Sequence, residues 1–150
     1  SGSADLIGYS EDGNIQLLVE IKKAKNVSPE WVEQFRRNLL THAIIPASIF
    51  FLLLLPQSIY LWKNSAVTDT ERLADYTLLT QDVLRPYLGD IDLNTISEQS
   101  LELLIYSWLS DLANSVLTRE TSGREQSWLF DSGLYESVKN GSSELKFMYE

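Results

Sequence analysis

Three polar residues near the amino terminus combine residue types and a spacing that suit a metal-binding site. Asp5 opens one predicted strand, and Glu20 and Lys22 lie near the end of the next. Because side chains alternate between the two faces of a strand, Glu20 and Lys22 project from the same face. Val19 and Ile21 then point the other way, towards a core. Carboxylate oxygens are the ligands that Mg²⁺ prefers, so this spacing predicts a magnesium site with a lysine beside it.

A hairpin is the element that must bring these residues together. Residues 10–14 are rich in turn formers, and their Asp-Gly pair lies between two apolar, alternating runs. Such a pair is a strong short-range signal for a hairpin. We therefore expect Asp5 to lie across the sheet from Glu20 and Lys22.

The residues after the hairpin predict a helix and two further strands. Ser28 and Pro29 have the types of a helix N-cap and a first helical residue, and the helix should continue to about Ala43. Residues 47–55 form an apolar run typical of a strand buried on both faces. Residues 59–63 should return beside it, because a proline-containing turn separates the two runs.

The order Asp, a variable gap, then Glu-x-Lys resembles the core motif of the PD-(D/E)XK nuclease superfamily, and the resemblance covers residues 4 to about 63. It implies a restriction-endonuclease-like mixed sheet of the α/β (α+β) class. It also implies phosphodiester hydrolysis with magnesium or manganese as cofactor. Asp5, Glu20 and the backbone carbonyl of Ile21 would bind the metal. Lys22 would hold the attacking water or stabilise charge on the phosphate.

The chain departs from the family pattern at three points. Ala4 replaces the proline of the motif. Exonuclease members carry Gln-x-x-x-Tyr on the next helix, where Gln34 matches but Asn38 replaces the tyrosine. Gln34 would then be a supporting catalytic residue that orients Glu20 or the water. The family core also begins with a helix and a strand, for which the segment before Asp5 is too short. Upstream residues, later elements or a second subunit must supply that layer.

Charge divides the chain into two parts. Residues 1–64 carry six basic and six acidic residues, whereas residues 65–150 carry six basic and fifteen acidic residues and hold the whole net charge of −9. Phosphate contacts need local positive charge, so DNA would contact only the first part. The residues of the expected basic rim are Lys23, Lys25, Arg36 and Arg37. The alternative is that they are ordinary solvated surface side chains.

The pattern of apolar residues changes near residue 64 from a period of two to a helical period. We expect residues 1–64 to form the nuclease-like core and residues 65–150 an acidic, mainly helical extension. Capping boxes at residues 68–71 and 95–98 predict two helices. The buried face of the first would consist of Leu73, Tyr76, Thr80, Val83, Leu84 and Tyr87. That of the second would consist of Leu101, Leu104, Ile105, Trp108, Leu109, Leu112 and Val116. These faces either cover the sheet or form a homodimer interface.

Several other classes have no support in the sequence. The chain has no cysteine, which excludes disulfides and thiolate metal sites and is consistent with a reducing cytoplasm. The uninterrupted apolar run at residues 49–55 is far shorter than the roughly 20 residues of a membrane span, so we expect no membrane partner. Residues 144–149 alternate weakly, like an edge strand. Two interpretations remain: a metal-dependent nuclease, and a non-catalytic nuclease-fold module with a structural or protein-interaction role.

Overall fold

The protein is a mixed sheet with helices on both of its faces. The structure, a computed structural model, describes residues 5–42, 48–65 and 72–145. The strands are β1 (Leu6–Tyr9), β2 (Ile15–Ile21), β3 (Ser48–Leu54), β4 (Ser58–Ser65), β5 (Tyr76–Leu79) and β6 (Ser142–Leu145). The helices are α1 (Pro29–His42), α2 (Thr80–Leu88), α3 (Glu98–Asn114), α4 (Arg119–Ser122), α5 (Ser127–Asp131) and α6 (Leu134–Val138), with a 3-10 turn at Arg124–Gln126. The predicted mixed α+β class is therefore confirmed.

The predicted amino-terminal hairpin is present. Strands β1 and β2 pair antiparallel, with Leu6 opposite Val19. The turn closes through a hydrogen bond of 2.9 Å from the Gly13 amide to the Ser10 carbonyl. Gly13 has a φ of 84°, a left-handed conformation that glycine adopts without the steric cost that a Cβ brings. The turn residues therefore set the register that the sequence predicts.

The following helix and strands also form where the pattern places them. The Trp31 amide donates a hydrogen bond of 3.1 Å to the Ser28 hydroxyl, which is the expected N-cap contact of α1. Helix α1 is the crossover that lets β3 run parallel to β2. Strand β4 then pairs antiparallel with β3. The sheet order is β5-β4-β3-β2-β1-β6.

Each face of the sheet is buried against a separate layer of helices. On one face, Val19 and Ile21 join the core formed with α2, α3, α5 and α6. On the other face, Leu18 packs in a smaller core with Val32 of α1 and with Trp62. Strands β2 and β3 are apolar on both faces because both faces are covered, as is usual for a parallel pair.

Later elements of the chain supply a helix and an edge strand beside the hairpin. Strand β6 pairs antiparallel with β1, with Leu145 opposite Leu6. Helix α3 contacts both β1 and β2. Gly141 lies immediately before β6, where a Cβ would stand 1.8 Å from the Tyr9 carbonyl oxygen. The close approach of two backbones at this point requires glycine.

The prediction of a helix beginning at the capping box of residues 68–71 is wrong over the part that the structure describes. Residues 68–71 lie outside the described residues, but Tyr76–Leu79 is strand β5, which pairs with β4, and helix α2 begins only at Thr80. Leu73, assigned to the buried face, is 65% exposed. Pairing satisfies the backbone of β4, which would otherwise be an open edge, and this gain overrides the helical spacing of the side chains.

The second capping box is displaced by two residues. Ser97, not Thr95, is the N-cap of α3, and its hydroxyl accepts a hydrogen bond of 3.1 Å from the Ser100 amide. The helix ends at Asn114, so Val116 lies beyond it and is exposed. The edge strand predicted at residues 144–149 overlaps β6 at residues 144–145, β6 begins two residues earlier, and residues 146–149 lie outside the described residues.

No helix within the described ranges is both long enough and apolar enough to cross a bilayer.

The glycine before β6 yields a test of the fold. Replacing it, Gly141→Ala, should lower the free energy of unfolding by about 2–4 kcal/mol, because the new methyl group overlaps the backbone of β1. Urea denaturation followed by circular dichroism measures this loss.

The matched control is Gly13→Ala, at a turn where a Cβ would meet no atom within 4 Å but φ is positive. We expect a loss of about 1 kcal/mol there, from backbone strain alone. Equal losses for the two variants would contradict the close approach of β6 to β1.

Candidate functional site

Asp5 is tied to the end of β2 by its own side chain. Its Oδ2 atom accepts a hydrogen bond of 2.8 Å from the Ile21 amide, and its backbone amide donates one of 2.9 Å to the Val19 carbonyl. Because β1 begins where the antiparallel β2 ends, Asp5 reaches the peptide that follows Glu20. One carboxylate oxygen is thus engaged with β2, and a carboxylate retains further acceptor capacity on the other.

Glu20 is a buried carboxyl group. Its side chain is on the same face of β2 as Leu18, and the residue is only 8% exposed. Burial and the neighbouring Asp5 charge raise its pKa from the usual 4.5 to about 8. Lys22 opposes this rise without cancelling it. At neutral pH a carboxyl group with this pKa is mostly protonated unless a cation compensates its charge.

The pKa of Asp5 is also raised. Burial is the main cause, opposed by the Ile21 hydrogen bond and by the positive charge of Lys22. The charge of Asp5 in turn raises the pKa of Glu20, so the two carboxyl groups are close enough to repel each other. The structure therefore brings the predicted pair together at one edge of the sheet.

Lys22 is half-buried beside the two carboxyl groups. Its amide donates a hydrogen bond of 3.1 Å to the Leu54 carbonyl, which continues the parallel pairing of β2 with β3. Its Nζ atom stands 5.9 Å from the centre of the Phe35 ring on α1, within the range of a cation–π contact. The Lys22 side chain therefore lies over the Phe35 ring, and its positive charge acts on both carboxyl groups.

Two further acidic residues interact electrostatically with this pair, and they were not among the site residues predicted from the sequence. Glu98 and Glu102 are one turn apart at the start of α3. Burial, Asp5 and Glu98 raise the pKa of Glu102, and Glu98 also raises that of Asp5. Their only signal in the sequence was the four-residue spacing after a helix cap. That spacing becomes informative only once α3 is known to begin beside β1 and β2.

The arrangement offers a small set of oxygen donors. Within the described residues, no group of three or more His, Cys, Asp and Glu side chains is placed to hold a metal ion. The expected set is smaller, with two carboxylates and the Ile21 carbonyl. Mg²⁺ usually keeps several waters and binds through one or two carboxylates, so a set of this size matches its coordination habits.

Arg36 does not belong to a basic rim. It is 1% exposed and lies over the Trp62 ring, with 5.2 Å between its Cζ atom and the ring centre. The assignment of Arg36 to substrate binding is therefore wrong. The helical spacing places residue 36 on the same inner face of α1 as Val32, and the long aliphatic stem together with the flat guanidinium group packs on the aromatic surface.

The other predicted residues lie on or near the surface of the same region. Gln34 is exposed, and its hydrogen bonds with Asn38 and Arg37 run along α1, on the outer side of the helix. Arg37 pairs with Glu33 at 2.9 Å. Lys23 is exposed in the loop after β2. The exposed Lys25 ammonium group donates a hydrogen bond to the Asn94 carbonyl. The contacts of Gln34 do not lead to Glu20.

Comparisons of the chain with models of protein families, with curated proteins and with solved structures found no match.

The buried Glu20 makes stability depend on pH. Its pKa is about 8 in the folded protein and near 4.5 when exposed, so folding takes up a proton between these values. The free energy of unfolding should fall as pH rises through this window. Glu20→Gln lacks this titration. As pH rises from about 5 to about 8.5, the free energy of unfolding of the variant should therefore increase by about 1–3 kcal/mol relative to that of the unmodified protein. Chemical denaturation at several pH values measures the difference.

Glu30→Gln is the matched control, because Glu30 is exposed in the first turn of α1. Its pH profile should run parallel to that of the unmodified protein. Parallel profiles for Glu20→Gln and the unmodified protein would show that Glu20 is not a buried acid.

Proposed function

We propose that the protein is a metal-dependent nuclease that hydrolyses phosphodiester bonds with Asp5, Glu20 and Lys22. The observation that carries this proposal is the hydrogen bond from the Ile21 amide to Asp5, which fixes one carboxylate beside the peptide of the other. The burial of Glu20 and the cation–π contact of Lys22 with Phe35 add support to this proposal. The motif is thus a spatial cluster as well as a sequence pattern.

The topology gives further support to the nuclease-like fold. The family core carries a helix and a strand ahead of its aspartate, and we infer that α3 and β6 take the place of these two elements in this chain. Strand β6 pairs with β1, and α3 packs on the same sheet beside the hairpin. Of the three sources that the resemblance left open, the later elements of the same chain are the ones that fit.

The residues present suit Mg²⁺ or Mn²⁺. Asp5 and Glu20 would hold the ion together with the Ile21 carbonyl, and the repulsion that raises their pKa values would be relieved by its charge. A bound ion of this kind polarises phosphoryl oxygens and lowers the pKa of a coordinated water. The protein contributes a partly buried setting, in which each of these electrostatic interactions is stronger than in water.

Lys22 and the loop after β2 supply the positive charge that faces substrate. The Lys22 ammonium group orients the attacking water or stabilises the charge that develops on the phosphate. Lys23 and Lys25 are exposed on the adjacent loop, where they could contact the phosphates of DNA. With Arg36 buried and Arg37 paired with Glu33, this loop is the main basic surface of the proposal.

A second candidate is a non-catalytic module of the same fold that acts by binding a protein. Leu103 and Tyr106 on the outer face of α3 are 58% and 37% exposed. They are three residues apart and therefore share one side of the helix. In this alternative the acidic half of the chain forms a homodimer or partner interface through its helices.

Plasmid nicking with Mg²⁺ or Mn²⁺ separates the two candidates. The nuclease proposal predicts cleavage that falls at least about 100-fold in each of Asp5→Asn, Glu20→Gln and Lys22→Met. These replacements keep side-chain size, and the Asn oxygen can still accept the Ile21 hydrogen bond. Gel quantification of nicked product over time gives the rates.

The controls are Glu30→Gln and Lys139→Met, which make the same chemical changes away from the site. Lys139 is paired with Glu136 shortly before β6. It therefore lies near Tyr9, at the end of β1 that is farther from Asp5. Both variants should retain full activity. Equal residual nicking in all five variants and the unmodified protein would mean a contaminating nuclease, and would remove the catalytic claim.

Metal binding should depend on pH, because the ion must displace a proton from Glu20. We expect Mn²⁺ to raise the melting temperature more at about pH 8 than at about pH 6. Glu20→Gln should lose most of this stabilisation at both values, whereas Glu30→Gln should keep it. Differential scanning fluorimetry measures the shift. A shift that is independent of pH and unchanged in Glu20→Gln would place the cation elsewhere on the acidic surface.

A further inference from the structure

A cavity of about 320 Å³ lies between α2, the second half of α3 and the segment that follows α3. Its apolar wall includes Trp108, Leu112 and Leu129. Trp108 is stacked on Trp128 behind it, with 5.9 Å between the ring centres. The volume and the aromatic wall are those of a site for a small organic molecule.

The cavity is remote from the cluster around Asp5. Glu102 lies near the beginning of α3, and Asp111, which lines the cavity, lies near its end. At 1.5 Å per residue these positions are roughly 13 Å apart along the helix axis. A ligand in the cavity would therefore be separate from any substrate of the nuclease site.

Two polar atoms in the lining residues are buried without a hydrogen-bond partner. They are the Oε1 atom of Gln126 and the Oγ atom of Ser122. The other end of the Gln126 amide is fixed, because its Nε2 atom donates a hydrogen bond of 3.2 Å to the Val83 carbonyl. A buried acceptor without a partner destabilises the folded protein, so a ligand that donates a hydrogen bond here removes that unfavourable contribution.

The charges around the cavity favour a cation. The lining contains Asp82, Asp111 and Glu125 against a single base, Arg85, which pairs with Asp82 at 2.6 Å. The Tyr87 hydroxyl donates a hydrogen bond of 2.5 Å to Asp111, and burial together with that bond raises the pKa of this hydroxyl. The uncompensated acids leave the wall negative, and an aromatic ring such as Trp108 also attracts cations.

We infer that this cavity is a binding site for a small planar cation that carries N–H donors, such as an aromatic amidine. The ring of the ligand packs against Trp108 and the leucines. Its N–H groups donate to Gln126 Oε1 and Ser122 Oγ, the two buried atoms of the lining residues that have no partner. Its charge faces Glu125 and Asp111. The inference does not depend on the proposed nuclease activity.

Benzamidine is the probe, and benzoate and benzamide are its anionic and neutral counterparts of similar shape. In a titration of the whole protein followed by NMR, benzamidine should shift the indole N–H resonances of Trp108 and Trp128. The resonances of Trp31 and Trp62, which belong to the core on the α1 side of the sheet, should stay in place. Benzoate should bind at least about tenfold more weakly than benzamidine, and benzamide should lie between them.

Two variants test the contacts. Gln126→Leu should weaken benzamidine about tenfold through the lost acceptor. Because this variant also loses the bond to Val83, Glu125→Gln provides a second test at an exposed position, where we expect a weakening of several-fold. Glu120→Gln, an exposed position outside the lining, should bind like the unmodified protein. The inference is overturned if benzamidine leaves Trp108 unshifted, if benzoate binds equally well, or if both lining variants bind as the unmodified protein does.

Discussion

The parallel pairing of β2 with β3 is the constraint on which the rest of the structure depends. Two apolar strands that run the same way need a crossover between them and a cover on each face. Helix α1 is the crossover and covers one face, and the helices of the second half of the chain cover the other. The antiparallel hairpin is built on this pair, and because β1 begins where β2 ends, Asp5 lies at the end of β2 that carries Glu20 and Lys22.

The elements that the structure describes within the first 63 residues were well predicted from the sequence, because their signals are local. The turn at residues 10–14 and the cap at Ser28 each involve residues close in the chain, and both formed as expected. Prediction failed where distant partners decide the outcome. Strand β5 forms because β4 offers an open edge, which no spacing of apolar residues between positions 73 and 87 reveals. The acidic half of the chain therefore supplies both edge strands of the sheet, β5 and β6.

The same distinction holds for the candidate site. The sequence was enough to expect Asp5, Glu20 and Lys22 near one another, because a strand period and a hairpin suffice to bring them together. Glu98 and Glu102 were missed because their approach depends on how α3 packs. Arg36 was misassigned because charge was taken as a sign of exposure, whereas its guanidinium group lies flat on Trp62. A sequence pattern predicts which face of a helix or strand a residue occupies. Whether that face is exposed to solvent depends on tertiary packing.

The pairing of β6 with β1 determines when the sheet beside Asp5 is completed during synthesis and folding. Leu6 and Leu145 are partners although nearly the whole described chain separates them, so this ladder closes a very long loop. Contacts of such sequence separation carry a high loop-closure entropy, which slows their formation. During synthesis the ribosome also releases β6 after the other described elements. A growing chain would thus hold the hairpin of the candidate site long before β1 gains its second neighbour. The sheet beside Asp5 is completed only after β6 has been synthesised.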